Sequence, residues 1–169
     1  MTTYIALLRA VNVGGTGKLP MSELRAMCES IGCTNVRTYI ASGNVVFAST
    51  LSKASVKAKL EACLASYAGK PVGVAIRTGP EMAAVLAANP FKSTPPNRTV
   101  AIFLDGPPPA DTLAQISGQQ TEEVALGRHE IYVHYGDGMA HTKLKIPAAK
   151  TGTARNMNTI ATLSEWAAT

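Results

Sequence analysis

Hydrophobic positions in this chain recur with two periods, and the changes between them mark out its elements. Tyr4-Ile5-Ala6-Leu7-Leu8 is a continuous apolar run of strand length, as expected of a central strand covered on at least one face. Pro20 then stands where a helix accepts its first residue. Leu24, Met27, Cys28 and Ile31 follow at i, i+3, i+4 and i+7, and Gly32 ends the pattern. Val36 to Ile40 and Asn44 to Ala48 predict a hairpin. Tyr, Ile, Val and Phe suit a pleated, half-buried surface, and Gly43 and Asn44 tolerate the positive φ that a tight turn needs. Ser52 caps a second predicted helix with Val56, Leu60, Cys63, Leu64 and Tyr67 on one face, and Val72 to Arg77 forms a fourth strand. The order is βαββαβ, the ferredoxin-like or α/β-plait unit, and residues 1–78 fit one copy.

The rest of the chain repeats this order less clearly. Pro80 opens a short helix through Met82, Val85 and Leu86, which Asn89-Pro90 closes, and a polar, proline-rich linker, Lys92 to Asn97, follows. Thr99 to Leu104 reads as a strand, Leu113 and Ile116 as a short helix, Glu122 to Leu126 as a strand and Glu130 to Tyr135 as an alternating strand. Lys143, Leu144, Ile146 and Pro147 come next, then an amphipathic final helix from Thr159 to Ala168 with Asn158 or Thr159 as its cap. The predicted class is α+β, with two ferredoxin-like halves, the second distorted, and a C-terminal helix. The halves cover residues 1–78 and 99–169, with a short helix and linker over 79–98.

Composition narrows the setting. The chain of 169 residues is 46% hydrophobic, enough to build a core. Its formal charge of +5 is uneven, because residues 1–78 hold nine Lys/Arg against three Asp/Glu. A basic half attracts anionic metabolites, nucleotides or nucleic acid. Cys28, Cys33 and Cys63 lack metal-binding or disulfide spacing and read as reduced thiols, Cys28 and Cys63 as small core residues. The first residues do not form a secretory leader and no apolar run has the length of a membrane span, so the expected location is cytoplasmic.

Candidate chemistry concentrates at one edge of the first half. The glycine-rich stretch Asn12 to Lys18 departs from the P-loop pattern at Asn12 and Leu19, and Gly14, Gly15 and Gly17 do not make a dinucleotide fingerprint. In a βαββαβ sheet, however, the loop leaving strand one and the turn entering strand three lie at the same edge, beside the N-terminus of helix one. Arg9, Asn12, Gly14, Gly15 and Lys18 are therefore expected near Ser42, Gly43 and Asn44, forming a pocket for an anion or phosphate. A second polar cluster, Thr151 to Thr159, contains Arg155 and Asn156 and reads as a further ligand contact or as a network holding the last helix. No paired carboxylates, nucleophile elbow or histidine motif supports a catalytic assignment, and no metal site or cofactor is implied.

The runs Leu8 to Gly15, Arg37 to Phe47 and Thr153 to Thr159 together resemble DUF1697, a bacterial domain-of-unknown-function family. Ala10-Val11 stands where the family usually shows Gly-Ile, and Met157 where it usually shows Trp. The resemblance implies two ferredoxin-like halves and carries no activity. The leading expectation is a module binding an anionic or phosphorylated small molecule. The rivals are single-stranded nucleic-acid binding on the sheet, an enzyme acting through positioned polar groups, and a purely structural role for the same residues as turns and caps.

Overall fold

The computed structural model describes residues 1–9, 18–136, 139 and 142–168. It is an α+β chain with two four-stranded antiparallel sheets, and four α-helices among the described residues, the last of them C-terminal. The chain divides into two compact units, Met1–Met82 with Leu163–Thr169, and Ala83–Thr162.

The first unit contains β1 (Thr2–Leu8), α1 (Met21–Ser30), β2 (Thr34–Tyr39), β3 (Asn44–Ser49), α2 (Lys53–Ala68) and β4 (Val74–Thr78). Its strands lie in the order β2-β3-β1-β4, so the two most apolar strands are central. Tyr4, Ala6 and Leu8 alternate onto one face, where they join Val45, Phe47 and Ile76 in a core sealed by Leu24 and Cys28 of α1 and Val56, Leu60 and Leu64 of α2. Each such buried aliphatic side chain contributes about 1.5–3 kcal/mol relative to exposure. Helix α1 begins after Pro20, whose carbonyl accepts from Glu23 and Leu24. It ends in a Schellman motif: Gly32, at φ +91°, donates to Glu29 O, and Cys33 N–H donates to Cys28 O at 3.0 Å. Ser52 caps α2 by accepting from Ser55 N–H at 3.2 Å, as expected, although Tyr67 at the far end is 48% exposed and stands off the core face.

Strand β4 is an edge, and α2 covers it. The Glu61 carboxylate accepts from Val74 N–H at 3.1 Å, the Lys57 ammonium donates to Val74 O at 2.6 Å, and Lys57 and Glu61 pair at 2.9 Å. Main-chain groups that would otherwise invite another strand are thereby occupied.

Helix α3 (Gly79–Ala87) follows where Pro80, Met82 and Val85 predict it. The second sheet comprises β5 (Thr99–Phe103), β6 (Glu123–Leu126), β7 (Glu130–His134) and β8 (Thr153–Asn156), in the order β6-β7-β5-β8. Position for position this matches the order of the first sheet. The connections differ, because the helix expected around Leu113 and Ile116 is a single 3₁₀ turn, Leu113–Gln115, in a stretch too polar to bury a helical face. Leu144, Ile146, Ala148 and Ala149 supply the cover over Val100, Ile102, Ile131 and Val133 that helices supply in the first unit.

Thr153 to Asn156, within the polar cluster Thr151 to Thr159, is an edge strand paired with β5 through Ile102↔Ala154 and Val100↔Asn156. Gly152 permits the approach. A Cβ there would lie 2.7 Å from Ile102 Cγ2 and 2.9 Å from Phe103 O. The final helix, α4 (Met157–Ala168), starts two residues before the expected Thr159 because its cap is Asn156, whose Oδ1 accepts from Thr159 N–H at 2.9 Å.

Candidate functional site

At the end of the first sheet, the last residues of β1 are held between two other segments. Leu8 N–H donates to Gly43 O at 2.8 Å and Arg9 N–H donates to Gly73 O at 2.9 Å. The connection from β2 to β3 runs from Ile40 to Gly43 and is closed by the pair Tyr39↔Asn44. The positive φ expected at Gly43 and Asn44 falls on Gly43, at +89°, and on Ile40, at +49°, while Asn44 is already the first residue of β3. A β-branched residue in that region is strained, and Ile40 is also 50% exposed.

Asn44 holds this turn together. Its side chain is wholly buried, and Nδ2 donates to Tyr39 O and to Ser42 Oγ, both at 2.9 Å. The amide is therefore part of the framework that presents Ser42 and Gly43. Arg9 and Lys18 are exposed at their positions, and the Arg9 side chain runs past Gly73, where an added Cβ would lie 3.7 Å from its Cβ and Cδ. Asn12, Gly14 and Gly15 lie outside the described residues. Arg9, Ser42, Gly43 and Asn44 are thus gathered at one end of the first sheet.

Arg155 and Asn156 belong to the other unit and are built into its frame. Arg155 is 7% exposed, its Nη1 donates to Thr153 Oγ1 at 2.6 Å and to Ala154 O at 2.9 Å, and burial pushes its guanidinium down to about 10. Asn156 is the cap of α4. Met157, where the family pattern usually carries Trp, is 3% exposed, so that position is one of packing.

Of the histidines, His134 Nδ1 lies 3.1 Å from Thr99 Oγ1, which also meets Thr94 Oγ1 at 2.9 Å. Thr99 is completely buried, which keeps its hydroxyl from a substrate. His141 lies outside the described residues. All three cysteines are free. Cys28 and Cys33 are buried and Cys63 is partly exposed, and burial, reinforced by Cys33, Cys63 and Glu29, pushes the Cys28 thiol up to about 12. A thiol so raised is an inert core group at neutral pH.

One arrangement has no local signal in the sequence. The Arg37 guanidinium of β2 lies over the indole of Trp166, 4.0 Å from the ring centroid, and Tyr39 meets the same indole edge-on at 5.2 Å between centroids. Such a cation–π contact contributes about 0.5–1 kcal/mol at an exposed position. Trp166 reaches the sheet from the last turns of α4, far from β2 in sequence. It is the single tryptophan of a chain poor in aromatics, and its sequence neighbours do not connect it with β2.

The chain belongs to DUF1697, a family of proteins of unknown function, whose family model matches residues 1–132. Among solved structures it is similar to the conserved bacterial protein SP0830 of Streptococcus pneumoniae, with 26% identity, 98% of each chain covered and a TM-score of 0.81. No curated protein matches the sequence. Among the described residues no helix is long and apolar enough to cross a membrane.

Proposed function

We propose that the protein is a cytoplasmic module that binds an anionic or phosphorylated small molecule where the exit of β1 meets the turn before β3. The observation that carries this reading is the 2.8 Å bond from Leu8 N–H to Gly43 O, which sets the end of β1 beside the Ser42-Gly43 turn. Arg9 and Lys18 supply positive charge in the basic half of the chain, Ser42 a hydroxyl, and Gly14, Gly15 and Gly43 main-chain groups that approach a ligand without a side chain in the way. Asn44 positions the turn rather than pairing with the ligand.

Both halves are read as ferredoxin-like, over residues 1–78 and 99–169 with 79–98 between them. The support is the shared strand order, β2-β3-β1-β4 and β6-β7-β5-β8. Titration of isotopically labelled protein with inorganic phosphate tests the site. Saturable shifts of the Arg9, Lys18 and Gly43 amides are expected, and shifts absent from all three overturn the assignment.

A further inference from the structure

A groove lies on the face of the first sheet opposite α1 and α2, toward the other end of β1 and β3, where the buried Ile5 and Val46 give way to the half-buried Thr3 and Ala48. Register places Thr3 beside Ala48 and Arg37 beside Val46, with Val46 beside Ile5, so these side chains share one face. The small side chain of Ala48 and the short Thr3 leave a hollow next to the indole. The result is a groove of about 380 Å³ lined by Thr3, Asn35, Arg37, Val46, Ala48 and Trp166, all within the first unit. That volume is of the size that holds a small organic ligand, roughly 300–1,000 Å³, and is larger than a lone phosphate needs.

The lining defines the chemistry. Trp166 holds the guanidinium of Arg37 by one face, while the residue remains exposed. A guanidinium stacks through its faces and donates hydrogen bonds along its edges, so the outward face and the edge N–H groups serve a planar anion together. Among the described residues no carboxylate is ion-paired with Arg37; the acidic partners Glu29, Glu61 and Glu81 pair with other cations. Holding the fork flat in advance lowers the entropy lost on binding. Val46 and Ala48 form an apolar floor, and Asn35 and Thr3 set polar groups at the rim.

We propose that this groove binds a nucleotide, its base stacked on the outer face of Arg37 and its phosphate paired with the guanidinium edge. Bases stack on arginine planes and aromatic rings in this manner, and amide and hydroxyl side chains read their edges. The nucleotide is either free or a unit of a single strand, since both present the same base and phosphate. This site is separate from the β1 exit and does not depend on it.

Trp166 is the only tryptophan, so its fluorescence reports occupancy directly. Titration with adenosine, guanosine, cytidine and uridine 5′-monophosphates is expected to change the emission saturably for at least one of them, whereas ribose 5-phosphate, which lacks a base, leaves it unchanged. Arg37→Ala and Arg37→Lys should each weaken binding at least tenfold, the second because a lysine keeps the charge but loses the plane. Arg37 is exposed, so both variants are expected to fold, and a melting curve checks this. Arg9→Ala combined with Lys18→Ala should leave the titration unchanged, which separates this site from the one at the turn. A short oligonucleotide binding a hundredfold tighter than the best monophosphate identifies a single strand as the source, and equal affinity identifies the free nucleotide. No saturable change with any monophosphate or oligonucleotide, or equal affinity in wild type and Arg37→Ala, overturns the proposal.

Discussion

The hydroxyl of Tyr132, on β7, donates to the main-chain carbonyl of Val85, on α3, across 2.7 Å in the interior of the second unit. The carbonyl belongs to the last turn of a nine-residue helix, where main-chain acceptors have no partner within the helix. Tyr132→Phe removes the donor and leaves that acceptor buried, and the expected loss is about 1–3 kcal/mol in a denaturant titration. An unchanged midpoint would show that water reaches Val85.

The start of α3 is held by a reciprocal cap. Glu81 Oε1 accepts from Thr78 N–H at 2.8 Å, Thr78 Oγ1 accepts from Glu81 N–H at 3.3 Å, and Lys53 Nζ lies 2.6 Å from the same carboxylate oxygen. Burial opposes ionisation of Glu81, but the bonds from Lys53 and Thr78 outweigh it and hold the carboxyl below its ordinary value of 4.5. A folded-state value below the unfolded one adds stability above the unfolded value, and that stability is lost as pH falls through the folded one. Glu81→Gln should therefore flatten the acid limb of the stability profile. Thr78→Ala should cost about 0.5–2 kcal/mol at neutral pH.

Asn44→Ala is expected to cost about 1–3 kcal/mol, because it removes a wholly buried amide whose donor serves both the half-buried Tyr39 carbonyl and the Ser42 hydroxyl. The same substitution should disturb ligand binding only through the turn. Phosphate affinity falling in step with stability, and recovering under conditions that stabilise the fold, would mark Asn44 as a positioning residue; affinity lost in a variant as stable as the wild type would make it a direct contact.

Cys28 supplies the alkaline counterpart of Glu81. Its thiol is raised from 9.0 to about 12, chiefly by burial, so the folded protein keeps the proton after the unfolded chain has lost it. Stability from this group is complete below about pH 9 and declines as pH rises toward about 12. Cys28→Ala should lower stability through the lost volume at every pH and should also reduce the slope above pH 9.0. An unaltered slope would assign the alkaline loss to other groups.

The parts of this fold that were legible in the sequence are those whose side chains report burial locally. The helices of the first half show their faces in Leu24 and Cys28 and in Val56, Leu60 and Leu64, and the hairpin in Val45 to Phe47. Strand β8 was not legible, since Thr-Ala-Arg-Asn carries no apolar alternation. It is a strand because β5 needs a partner on that edge and Gly152 lets the backbones approach. Ile40 reads as strand in the sequence, but its left-handed backbone is imposed by the closure of the turn at Asn44 and Tyr39, which no propensity of isoleucine favours. The pairing of Arg37 with Trp166 depends on tertiary packing of α4, so neither residue's sequence neighbours disclose it.

The central claim is anion binding at the exit of β1, and calorimetric titration with inorganic phosphate of the wild type and of the Arg9→Ala, Lys18→Ala double variant tests it most directly. Both residues are exposed, so the variant should melt with the wild type. The expected result is saturable binding by the wild type and at least a tenfold loss, about 1.4 kcal/mol, in the variant. No binding by the wild type, or equal affinity in the two proteins, would contradict the claim.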